Sequence, residues 1–197
     1  MVSAIAACAQ TSYYFGSKEF SMPKKEGEAR ARTAARGKRA SRKITLKFDA
    51  SQAVKAGGYR VIQQTPPEAI VLAIRTGVRA RFLKQMAGDM AVSQERLYET
   101  LGLARATLVR KAKEDKLMSS AESERALGLA RLIGQAEEMV SRSGDPDGFD
   151  AARWIAGWLQ QPNPALGGKR PEQWMDTAVG RELVSETLAR LETGAYA

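Results

Sequence analysis

The chain contains no histidine and one cysteine, Cys8, among its 197 residues. Lack of histidine removes the usual general base, the commonest metal ligand and any Ser-His-Asp or Cys-His catalytic arrangement. One cysteine cannot form an internal disulfide or a thiolate zinc site, and so fits a reducing, cytoplasmic setting. No metal or cofactor is expected. No apolar run approaches the ~20 residues that span a bilayer. The opening MVSAIAAC ends in Cys8 like a lipoprotein cleavage box, but no basic residue precedes its apolar run, which is shorter than a signal peptide needs. Met22 is an alternative start.

What is present is positive charge, unevenly placed. The formal net charge is +9. Residues 1–60 carry 13 Lys/Arg against 4 acids, residues 61–118 carry 10 against 6, and residues 119–197 carry 8 against 12. A basic front and an acidic rear suggest a polyanion at one end and a different partner at the other. A disordered basic arm with no target is the plainer alternative for the first segment, but it does not explain the surplus in the middle.

Residues 1–60 read as a basic, mostly disordered N-terminal arm. Pro23 to Lys43 is poor in apolar residues, Ile44 to Phe48 alternates enough for a short strand or extended arm, and Gly57-Gly58 interrupts the chain. Arg30, Arg32, Arg36, Lys38, Arg39, Arg42 and Lys43 in this arm suit phosphate tracking, minor-groove entry or a solvated tail.

From Pro66 the periodicity is helical. Pro66-Pro67-Glu68 opens a helix that ends near Gly77, and Phe82, Leu83, Met86 and Met90 recur at helical spacing. Ser119-Ser120-Ala121-Glu122 has the form of a capping box and opens the longest helix, to about Val140. Asp147 or a neighbour caps the next, which carries Trp154, Ile155, Trp158 and Leu159. The last starts near Asp176-Thr177 and carries Val179, Leu183, Val184, Leu188 and Leu191. The fold class is all-α.

The stretch SQERLYETLGLARATLVRKAK, Ser93 to Lys113, has the organisation of a helix-turn-helix. Leu97, Leu101, Leu103 and Leu108 face inward, and Gly102 suits the turn because it accepts positive φ. The second helix offers Arg105, Thr107, Arg110, Lys111 and Lys113 to DNA. Arginine pairs with guanine edges in the major groove, Thr107 suits a thymine methyl or a phosphate, and lysine neutralises phosphates. A merely solvated basic face is the plain alternative.

The end of the chain reads NPALGGKRPEQWMDTAVGRELVSETLARLETGAYA. A turn cluster of Pro162, Pro164, Gly167, Gly168 and Pro171 leads into an amphipathic helix that stops at Gly194. Proline restricts φ and lowers the entropy lost on docking, while a mid-helix glycine, Gly180, costs ~1 kcal/mol unless something packs tightly there. Simple core packing accounts for Leu166, Trp174, Leu183 and Leu188 as well as any binding role does.

The NPALGG run, the spaced Pro171 and the terminal Gly194-Ala195-Tyr196 closely resemble the C-terminal toxin-binding domain of the Xre/MbcA/ParS antitoxins. The stretch LGLARATLVRKAKEDKLMSSAESERALGLARL resembles the helix-turn-helix part of the same family, and the likeness spans roughly Pro66 to Ala197. Ala104 replaces a frequent serine at the start of the recognition helix, and Trp174 stands where leucine is common.

The resemblance implies a helix-turn-helix DNA-binding and dimerisation domain over 61–141 and a small helical toxin-binding domain over 142–197. It implies an antitoxin of a type II pair that blocks a RES-domain toxin, one that consumes NAD⁺ or ADP-ribosylates. It also implies a homodimer that represses its own promoter by binding operator DNA. Asn163, Leu166, Gly167, Gly168, Lys169, Arg170, Arg190, Glu192 and Tyr196 are the expected toxin contacts. A stand-alone regulator without a toxin is the main alternative. An enzyme would need Asp145, Asp147 and Asp150 as acid/base or metal ligands, and helix capping explains them better.

Overall fold

The structure is a computed structural model that describes residues 49–143 and 147–193. Among these residues the chain forms nine α-helices and two short 3₁₀ turns, with no strand. Helices α1 (Ala50–Gly57) and α2 (Arg60–Gln63) come first. Then follow α3 (Pro67–Thr76), α4 (Arg81–Asp89), α5 (Gln94–Thr100) and α6 (Arg105–Lys113). The long α7 (Ser120–Ser143) precedes α8 (Ala151–Trp158) and α9 (Ala178–Thr193). The fold is all-α, as the periodicity predicts.

Helix α7 is the axis. Its 24 residues extend about 36 Å, and α2, α3, α8 and α9 all pack against it. The capping box forms as expected: the Ser119 hydroxyl accepts from Glu122 N (3.3 Å) and the Glu122 carboxylate accepts from Ser119 N (2.6 Å). Ala126, Leu127, Leu129, Ala130, Leu132, Ile133 and Ala136 are buried along it. Helix α4 is the second organiser, burying Phe82, Leu83 and Met86 against α1, α5, α6 and α8. Both sets of side chains belong to one core that also takes in Ile155 of α8 and Val184 and Leu188 of α9.

Two linkers are stitched together where α3 gives way to α4 and α6 to α7. Ala80 N donates to Lys116 O (3.0 Å) and Met118 N to Val78 O (2.8 Å). The buried Ser123 hydroxyl accepts from Val78 N (2.9 Å). These bonds fix the C-terminal end of α6 relative to α4.

The expected arm, residues 1–60, is too long. Residues 49–60 fold: the Asp49 carboxylate caps α1 by accepting from Ser51 N and Gln52 N, and Ala50 and Tyr59 are buried. Gly58, at φ +75°, ends α1 as a chain break should, but the chain resumes at once in α2. Eight- and four-residue helices are too short to show a period, so their apolar residues look scattered. The strand expected over 44–48 lies outside the described residues. Asp150 is the α8 cap, accepting from Arg153 N (3.0 Å). Val179, expected on the buried stripe of α9, is 77 % exposed.

Candidate functional site

Helices α5 and α6 meet as the helix-turn-helix expectation requires. The Ser93 hydroxyl caps α5 by accepting from Arg96 N (3.1 Å). Leu97, Leu101 and Leu108 are fully buried, and Leu103 packs against them from the turn. Gly102 sits at φ +60°, a region that an L side chain rarely adopts. Arg125 of α7 braces this turn, donating from Nη1 to the Gly102 carbonyl (2.6 Å) and more weakly to Leu101 O (3.4 Å). Ala104 gives α6 no side-chain cap, so the Arg125 brace holds the turn through its carbonyls while the first N–H groups of α6 go uncapped by a side chain.

The five expected DNA contacts divide into two groups. Arg105, Arg110 and Lys113 are exposed and Thr107 is half-buried. Arg105 also pairs with Glu95 of α5. Lys111 turns inward, to a half-buried ion pair with Glu122 at 2.5 Å. Partial burial pushes the Glu122 carboxyl up, but hydrogen bonds from Lys111 and Ser119 and the Lys111 charge outweigh it and hold the group below its ordinary value. Lys111 lies three residues after the buried Leu108, so helical geometry puts both on one face. That spacing is the signal sequence reading passed over.

The expected toxin-binding loop is built around Asn163. Asn163 is 5 % exposed, and its side chain accepts from Ala165 N (2.9 Å). Its backbone carbonyl accepts from Leu166 N and Gly168 N, and its N–H donates to Lys169 O, each at 3.0 Å. Asn163 therefore shapes the loop from inside, and Leu166 is buried beneath it. Gly167 and Gly168 stand at φ +65° and +75° with open space where a side chain would be. Lys169 Nζ lies 5.2 Å from the Trp174 ring centre, a cation–π contact. Arg170 is exposed and reaches Glu172 (3.5 Å), which also accepts from Arg96 of α5 (2.6 Å). Arg190, exposed on α9, reaches Glu186 at 3.8 Å. The Glu192 side chain, Gly194 and Tyr196 lie outside the described residues.

Two features hold α9 in place. Gly180 is buried, and a Cβ there would run into the Trp174 carbonyl. Arg181, its side chain 9 % exposed, pairs with Glu124 of α7 (3.0 Å) and donates to Met175 O (3.1 Å). Nothing in the sequence marks this arginine as internal. Glu124 and Arg125 are neighbours on α7, so adjacent residues brace α9 and the α5–α6 turn.

Among the described residues no cluster of His, Cys, Asp or Glu is arranged to hold a metal, and no helix is long and apolar enough to cross a membrane.

Two family descriptions match the chain. Residues 69–131 match the antitoxin Xre-like helix-turn-helix domain, and residues 135–194 match the antitoxin Xre/MbcA/ParS C-terminal toxin-binding domain. The chain is also 42 % identical, over 139 residues, to a protein of Sphingobium sp. (strain YBL2) named Prs ADP-ribosylating antitoxin. That alignment covers 71 % of this chain and 87 % of the relative. The matched segments contain the braced helix-turn-helix and the Asn163 loop, and the chain accordingly belongs to the Xre/MbcA/ParS family of antitoxins.

Proposed function

We propose that this antitoxin neutralises a RES-domain toxin, one that consumes NAD⁺ or ADP-ribosylates, by stoichiometric binding, and represses its own operon through α6 as a homodimer in the cytoplasm. The toxin-binding part begins near residue 142 and the DNA-binding and dimerisation part occupies 61–141. One observation carries the reading. The α5–α6 pair and the Asn163 loop are separately shaped, outward-facing surfaces, and each falls within the family match that describes its role.

On the toxin side, Gly167, Gly168, Lys169 and Arg170 are exposed on a loop tied by hydrogen bonds across its base. A preformed loop loses little entropy on docking. Asn163 and Leu166 support that loop from beneath, while Arg190, Glu192 and Tyr196 extend the contact along α9 and the terminus. On the DNA side, Arg110 and Lys113 are exposed on α6, so both can reach phosphates and base edges. The name of the Sphingobium relative supports an ADP-ribosylating partner.

Co-expression with the neighbouring reading frame tests both halves. The full chain restores growth and stops NAD⁺ consumption, whereas a chain lacking Glu192 to Ala197 protects less well. Arg110→Ala weakens operator binding roughly 5- to 150-fold, about 1–3 kcal/mol, and leaves protection intact. Equal protection by the truncated chain would refute the terminal contact. Loss of both functions in Arg110→Ala would make Arg110 a residue of the fold.

A further inference from the structure

A hollow of about 470 Å³ lies between α1 and α4, its lining including Ser51, Lys55, Arg81, Lys84, Gln85 and the acidic residue Asp89. Helix α1 falls outside both family-matched segments, so this hollow adds to what the family match describes. Lys55 and Lys84 are exposed and have no ion-pair partner among the described residues. The nearby carboxylates are occupied. Asp89 accepts from the Tyr59 hydroxyl (2.7 Å), and Asp49 accepts from two α1 amides and reaches Arg81 at 3.4 Å. Ser51 is 6 % exposed, and its hydroxyl, although buried, has no hydrogen-bond partner among the described residues. A buried hydroxyl without a partner is costly and wants an acceptor. Two unpaired ammonium groups beside it select an anionic oxygen.

The hollow adjoins the recognition helix. Asp115, two residues beyond the end of α6, pairs with Arg79 at 2.7 Å and approaches Arg81 at 3.7 Å. Helix α4 packs against both α1 and α6. In sequence, the basic stretch that ends at Lys43 precedes Asp49 by six residues.

From this we infer that the α1–α4 hollow is a second DNA-contact surface, which takes phosphates of the duplex backbone flanking the site read by α6. The inference rests on the DNA-binding reading of α6. Lys55 and Lys84 neutralise phosphates, Ser51 donates to a phosphate oxygen, and Arg81 joins the hollow to the end of α6. Contacts of this kind position the protein and add affinity without reading sequence.

The test uses the full chain and DNA from upstream of its own reading frame. One duplex covers only the α6 footprint, and a second is longer by about ten base pairs, one helical turn, at each end. The wild type should bind the longer duplex roughly tenfold more tightly, and the double variant Lys55→Ala/Lys84→Ala should lose that gain. Its salt slope on the longer duplex should fall by roughly two, at about 0.9 for each phosphate no longer neutralised. Lys55→Arg/Lys84→Arg should restore both, and toxin neutralisation should not change in any of these variants. A double variant with wild-type affinity and salt slope on the longer duplex overturns the inference. Arg110→Ala separates this from the parent reading. If it binds both duplexes normally while length dependence still needs Lys55 and Lys84, the α6 reading fails and the hollow stands.

Discussion

At the scale of single residues, the charged side chains do unequal work. Arg110 and Lys113 point to solvent, while Lys111, between them in sequence, is fixed to Glu122. Lys111→Ala should therefore lower stability by about 1–2 kcal/mol in urea unfolding, beyond any effect on DNA binding. The pH dependence follows from the depressed Glu122 value. The stabilisation is complete above the ordinary carboxylate range and disappears as pH falls through the lower folded value. Glu122→Gln should flatten the acid limb of the stability curve while leaving the neutral region lower but level. An unchanged acid limb would place the acid sensitivity at another carboxylate.

At the scale of elements, close backbone approach decides where helices sit. Gly134 of α7 is buried, and a Cβ there would meet the Tyr59 carbonyl at the start of α2. Gly180 plays the same part between α9 and the Trp174 carbonyl. Alanine normally strengthens a helix interior, by ~1 kcal/mol over glycine. Here Gly134→Ala and Gly180→Ala should each destabilise by about 1–3 kcal/mol, because backbone on the other side must move. Thermal melts of the two variants check this, and a rise in Tm for either would show that its neighbour yields. Gly180→Ala should also weaken toxin neutralisation, since α9 carries Arg190 toward the terminus.

At the scale of the whole molecule, α7 joins the two proposed functions. Glu122 and Arg125 hold the recognition element, and Glu124 and Gln135 hold α9 through Arg181 and Ser185. A fragment beginning at residue 142 would strand Val184 and Leu188 of α9 without Leu127, Ala130 and Ile133, which share their core. It should lack a cooperative unfolding transition and fail to protect against the toxin. A fragment from Ser119 onward keeps α7 and should recover part of both. Cooperative folding of the shorter fragment would mean that α8, the Asn163 loop and α9 bury enough surface by themselves.

Local features are legible in the amino-acid sequence. The capping box, the Ser93 cap, the turn at Gly102 and the helical stripes depend on residues within one turn of each other, so spacing along the chain specifies them. The NPALGG loop is legible because proline fixes φ and glycine permits the positive φ that the turn takes at Gly167 and Gly168. By contrast, the burial of Arg181, the inward turn of Lys111, the folding of residues 49–60 and the α1–α4 hollow all depend on groups far apart in the chain. Arg181 meets Glu124 across 57 positions, and Glu137 accepts from Arg60 N across 77. Sequence alone thus determined the helices from α3 onward, several of their caps and the family. Only tertiary packing decided which charges remain available to partners, because a lysine on a helix reads the same until the element opposite it presents either a carboxylate or water.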